Sequence, residues 1–154
     1  MKSQIIWLLA GLVVLVVCDS PAQGMRAECD DEQTYIIPHF KSNWYKAMEY
    51  CHYLGLKLAT VPSIDKQLQI EDSIERTDKG NGTTFWTGGN DLGDNENFHW
   101  YSTGTRIVWF NWSMDAYSRN GNCIYLHRKN DDPSTWSWST ERCSQAKYFV
   151  CERA

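Results

Sequence analysis

No Cys-x-x-Cys pair occurs anywhere in the 154 residues, so the six cysteines do not read as a thiolate metal cluster. His-Glu-x-x-His and Gly-x-Ser-x-Gly are also missing, and the four histidines, His39, His52, His99 and His127, are scattered. Nothing pairs a nucleophile with a base, so an enzyme is not expected. Positive charge is never clustered along the chain and the net charge is −4, which argues against nucleic acid and against an anionic membrane surface. No proline stands between Pro62 and Pro133. The long apolar run from Ile5 to Val17 is too short to cross a bilayer comfortably.

With Lys2 ahead of it and Cys18-Asp19-Ser20-Pro21-Ala22-Gln23-Gly24 behind it, that run reads as a secretory signal peptide over 1–24. A retained signal anchor is the rival reading. Small residues at Ala22 and Gly24 favour cleavage after Gly24. A segment 25–34 then leads into one domain, 35–154, with length for one core and no more. The mature chain keeps Cys29, Cys51, Cys123, Cys143 and Cys151, which in an oxidising compartment means disulfides. Spacing alone does not choose their pairing.

Tyr35-Ile36-Ile37 reads as an edge strand ended by Pro38. Ser42 or Asn43 caps a helix with Trp44, Ala47, Met48, Cys51 and Leu54 on its apolar side, and Gly55 ends it. Leu56 to Val61 alternates as a strand does. Ser63 then caps a second helix with Ile64, Leu68, Glu71 and Ile74 along one face, broken by Gly80-Asn81-Gly82. Beyond Phe85, short aromatic strands alternate with Gly/Asn/Asp/Ser turns, giving an α+β domain. Six of the eight tryptophans fall within 84–151, which reads as one core plus a long loop. Asn90-Asp91, Asp94-Asn95-Glu96 and Asp131-Asp132 lack EF-hand spacing and read as solvated turns. Of two glycosylation sequons, Asn81 lies in an expected exposed loop, whereas Asn111 is followed by the large ring of Trp112.

The series Trp86-x-Gly88, Trp100, Trp112, Cys123, Trp138, Cys143 and Phe149-Val150-Cys151-Glu152 follows Trp44, Ala47 and Cys51. In that order it resembles the C-type lectin-like domain over roughly 35–153. The resemblance implies two helices and a twisted antiparallel sheet with a long, disulfide-stapled loop. It also implies the pairings Cys51–Cys151 and Cys123–Cys143. Cys29 is then odd: a free thiol, a partner for Cys18, or a bond to a second chain that makes a disulfide-linked dimer.

In that family a calcium ion at the loop takes oxygens from a Glu-Pro-Asn or Gln-Pro-Asp tripeptide, from a Glu before the loop cysteine, and from an Asn-Asp pair after a tryptophan. Here Ala116-Tyr117-Ser118, Gly121 and Ser139-Thr140 stand in those places. Calcium wants six to eight oxygens, so no calcium, and no other cofactor, is expected at the primary site. Asp115 and Glu141 are the nearest replacements. A non-proline cis bond costs about 3–4 kcal/mol, so a loop without proline does not reproduce the tripeptide geometry unaided. The expected function is a secreted, extracellular, non-catalytic recognition module that binds a protein or glycan through a loop at about 109–139. Trp109, Tyr117, Arg119 and Trp136 are the candidate ligand-facing residues, since Tyr, Trp and Arg dominate interface hot spots. The alternative is a carbohydrate-binding lectin with a rearranged or calcium-independent site.

Overall fold

The computed structural model describes residues 34–79, 82–113, 120–128 and 135–153. The expected signal peptide at 1–24, Cys18, Cys29, Asn81, Asp131 and Asp132 lie outside them, as do Asp115, Ala116, Tyr117, Ser118 and Arg119. No helix among the described residues is long and apolar enough to cross a membrane.

Helix α1 (Trp44–Tyr53) starts where Asn43, in extended backbone, accepts the Lys46 N–H on Oδ1 at 2.9 Å. It stops at Gly55, whose φ of +72° lets its N–H reach the His52 carbonyl at 2.9 Å. Trp44, Ala47 and Cys51 are buried. Strand β2 (Leu56–Leu58) is shorter than the alternation to Val61 suggests. Past Leu58 the backbone divides its bonds: Ala59 N–H goes to Val150, while the Ala59 carbonyl accepts from Gly88 N–H.

Helix α2 (Ile64–Glu75) begins with the Ser63 hydroxyl accepting the Lys66 N–H at 3.4 Å. Its inner face is not the one that hydrophobicity suggests. Gln67, Ile70 and Ile74 are buried, while Ile64 and Leu68 are 50% and 54% exposed. The reason is a polar contact: the Trp138 indole N–H donates to Gln67 Oε1 at 2.9 Å and turns that side inward.

Two sheets result. In the first, β8 (Cys151–Arg153) lies antiparallel between β1 (Tyr35–Ile36) and β2. In the second the order is β4 (His99–Trp100), β3 (Thr84–Asn90), β5 (Cys123–Arg128) and β6 (Trp136–Glu141), all antiparallel. The short β7 (Tyr148–Phe149) joins β3 in parallel. Alternate residues of the second sheet face two cores. Phe85, Ile124, Leu126 and Trp138 pack with Ile70, Ile74 and Val61, whereas Trp86 and Phe149 pack with Trp44, Ala47 and Cys51.

The disulfide Cys51–Cys151 ties α1 to β8, and Cys123–Cys143 ties the start of β5 to the turn after β6. Inside the first sheet the buried Glu152 carboxylate accepts from Thr60 N–H at 3.0 Å and Thr60 Oγ1 at 2.7 Å. The Lys57 ammonium stands 3.5 Å from it. Burial, helped by the Glu152 charge, pushes the Tyr35 hydroxyl up to about 12.

Candidate functional site

The connection from β4 to β5 is the long loop, and tryptophans hold its described part. Trp138 on β6 is their centre. The rings of Trp100, Trp109 and Trp112 stand edge-on to it, with centroids 5.7, 5.3 and 5.7 Å away. Edge-to-face pairs of this kind add roughly 0.5–1.5 kcal/mol each beyond the area they bury. The backbone is pinned too: Trp138 N–H donates to the Asn111 carbonyl at 2.7 Å, and Ser113 N–H to the Trp138 carbonyl at 2.9 Å. Asn111 Nδ2 donates to the Trp136 carbonyl at 2.9 Å, so the amide a glycan would need is committed to holding the loop.

Below Trp138 a polar chain runs into α2. Gln67 accepts from the indole and donates through Nε2 to Glu71 Oε1 at 2.6 Å. Burial, opposed by the Gln67 hydrogen bond, holds the Glu71 carboxyl above its ordinary value. Loop, β6 and α2 therefore form one hydrogen-bonded unit.

Of the candidate ligand-facing residues, Trp136 is misplaced. It is 5% exposed, with its ring against Phe85 at 5.8 Å and the Arg128 guanidinium 5.0 Å from its ring centre. The outward-pointing reading fails because β6 buries both of its faces here. Trp109 is half-buried against Trp138. The exposed side chains are its neighbours, Val108 at 83% and Phe110 at 46%. Phe110 stacks on Trp112 at 5.9 Å with 20° between the rings. The signal for them was the alternation Val108, Trp109, Phe110. Ring size was the wrong guide to exposure.

Of the positions aligned with calcium ligands, the described ones are Gly121, Ser139 and Thr140, and none carries a long side chain. Gly121 sits against β6, and a Cβ built on it would meet Arg142 N and Glu141 C at 2.2 Å. Thr140 is buried and its hydroxyl has no hydrogen-bond partner, while Ser139 is half-buried. Glu141 Oε1 accepts the Arg142 N–H at 2.8 Å. Among the described residues no group of three or more His, Cys, Asp or Glu could hold a metal ion.

The acidic turn before β4 differs from a solvated one in one respect. Asp91 is buried, and Asn122 Nδ2 donates to Asp91 Oδ1 at 2.8 Å and to Asn95 Oδ1 at 2.6 Å. That pair of bonds ties the turn to the base of the long loop. Asp94 remains exposed; hydrogen bonds from the Asn97 side chain and from the Asn97 and Glu96 backbones hold its carboxyl well below the usual range. His127 Nε2 lies 3.3 Å from Ser137 Oγ, but Ser137 is fully buried within β6 and presents no nucleophile to solvent.

Comparisons with known proteins agree with this fold. The family described as "Lectin C-type domain" matches residues 40–153. A C-type lectin mosGCTL-7 of Culex quinquefasciatus is 40% identical, with 96% of this chain and 90% of that protein covered. Salivary C-type lectin 1 of Aedes albopictus is 32% identical, covering 92% of this chain and 95% of the relative. Human lithostathine superposes with a TM-score of 0.67 at 22% identity, over 77% of this chain and 89% of its own, a likeness of fold. The chain belongs to the C-type lectin domain family and is non-catalytic.

Proposed function

We propose that this lectin-family domain is exported and recognises an extracellular protein or glycoprotein through the loop at 109–139, together with Val108. Calcium has no place at the primary site in this reading. One observation carries it: Gly121, Ser139 and Thr140 offer no carboxylate, and Gly121 has no room for one beside the Glu141–Arg142 backbone. The described donor set does not fit the ion. Relatives named as salivary lectins in Aedes albopictus support export, in keeping with the apolar N-terminal run. Asn81 carries any glycan, since the Asn111 amide is engaged by the Trp136 carbonyl, and Cys29 is the residue through which a second chain would be bonded.

Phe110 stacked on Trp112 favours a second reading, in which a sugar face lies on the exposed ring without a metal. Glycan arrays in millimolar calcium and in chelator separate the two. Protein recognition predicts weak, calcium-indifferent arrays and capture of a ligand from extracellular fluid that Phe110→Ala abolishes. Strong array binding in chelator, lost in the same variant, moves the sugar reading to first place. Strong binding only in calcium refutes both.

A further inference from the structure

No basic run exists in the sequence, yet folding gathers three lysines at the β7 edge. Ser42 and Lys147 are joined by two backbone bonds, N–H to carbonyl at 2.9 and 3.0 Å, which brings Lys41 beside Lys147. Lys147 Nζ lies 4.0 Å from the Tyr125 ring centre and 5.2 Å from that of Trp86. On the adjoining Tyr148 ring, Lys41 Nζ and Lys79 Nζ stand at 5.2 and 5.0 Å.

Lys66 stands alone over the Tyr35 ring at 5.7 Å, but five other described cations are treated differently. Lys46, Lys57, Arg76, Arg128 and Arg142 each face a carboxylate: Glu49, Glu152, Asp72, Glu75 and Glu141. Among the described residues Lys41, Lys79 and Lys147 make no ion pair. The rings attract the ammonium groups and fix their positions without cancelling their charge. Burial holds the Lys147 ammonium below its ordinary pKa; Glu141 opposes that and the charge of Lys41 adds to it. Like charges kept close and unpaired are relieved when an anion arrives.

We infer that this edge binds a sulfated polysaccharide through Lys41, Lys79 and Lys147. An ammonium is a compact point charge with three donors, suited to sulfate oxygens approaching from several directions. The three are spread around two rings, Tyr148 of β7 and Tyr125 of β5, which fits a chain with repeated sulfate groups better than one small anion. A net charge of −4 on the whole chain opposes a broad polyanion, so a thick nucleic-acid duplex is disfavoured where a single flexible glycan strand reaches the edge alone. The three lysines lie outside the loop at 109–139, and their role does not rest on the function proposed for it.

The test is binding of the full chain to immobilised heparin in chelator, against desulfated heparin and duplex DNA. We expect heparin to be retained and desulfated heparin not. The log–log salt dependence should fall by about one for each lysine removed. Lys41→Gln with Lys79→Gln changes two residues that are not fully buried and should weaken heparin about tenfold, with an unchanged melting temperature. Adding Lys147→Gln should abolish retention, and arginine at all three positions should restore it. Phe110→Ala should leave heparin binding intact, which separates this site from the loop. Retention equal on desulfated heparin, equal affinity for duplex DNA, or indifference to the Lys41→Gln/Lys79→Gln pair would overturn the proposal.

Discussion

Gln67 is the residue on which the loop's foundation turns. Its side chain satisfies the buried Trp138 indole N–H and reaches Glu71. Gln67→Ala removes these bonds and a longer one to the Trp136 carbonyl, and leaves the indole without an acceptor, a change that costs about 1–3 kcal/mol. Urea unfolding with an unchanged m-value should show that loss; a cost below a few tenths would mean that the contact is incidental. Glu71 gives the complementary case. Burial raises its carboxyl above the ordinary 4.5, so the folded state holds its proton more tightly than the unfolded one. Stability from this group is therefore gained as pH falls toward 4.5, and at neutral pH the charged form is a net burden. Glu71→Gln keeps an acceptor for Gln67 and removes the charge. It should be more stable than the parent at pH 7, with the advantage vanishing below about pH 4.5. A variant less stable at pH 7 would show that attraction to Arg128 outweighs burial.

The elements differ in how each staple acts on the unfolded chain. Cys51–Cys151 spans 100 residues and Cys123–Cys143 spans 20. In the chain-entropy model the first contributes about 4–5 kcal/mol and the second about 3. Serine pairs at each bond should rank in that order by chemical unfolding, and the reverse order would place the larger effect in the native loop. Much at this scale was legible in the sequence. Caps at Asn43 and Ser63 and the stop at Gly55 follow from local hydrogen bonding and a positive φ, which neighbouring residues dictate. Disulfide pairing was legible only through the resemblance, because spacing permits several pairings. The inner face of α2 was not legible. Apolar period points to Ile64 and Leu68, and only the distant Trp138 indole explains why Gln67 is buried instead. Trp136 misled in the same way, since a ring's size says nothing about whether Phe85 and Arg128 will enclose it. The lysine cluster was invisible for the same reason: Lys41, Lys79 and Lys147 are far apart until β7 pairs with β3.

For the whole molecule, the sharpest question is whether calcium is thermodynamically coupled to the fold. An ion that binds only the native state adds RT ln(1 + [L]/Kd), about 2.7 kcal/mol at a hundred times Kd. In a domain of this size that shifts the melting temperature by several degrees. Dehydrating the ion must be repaid by six to eight oxygens, several of them charged. Ser139 and Thr140 bring hydroxyls, of which the Thr140 hydroxyl is buried, and Gly121 brings no side chain. Restoring a glutamate there is also blocked, because its Cβ would overlap the Glu141–Arg142 backbone. Gly121→Glu should therefore destabilise by about 1–3 kcal/mol without creating a calcium response. Melts of the parent chain in millimolar calcium and in chelator should coincide. A calcium-dependent rise abolished by Asp115→Ala or Glu141→Ala would establish a shifted site built on carboxylates. It would also require Glu141 to release the Arg142 N–H it now accepts, which places the energetic cost of such a site in the turn that carries Cys143.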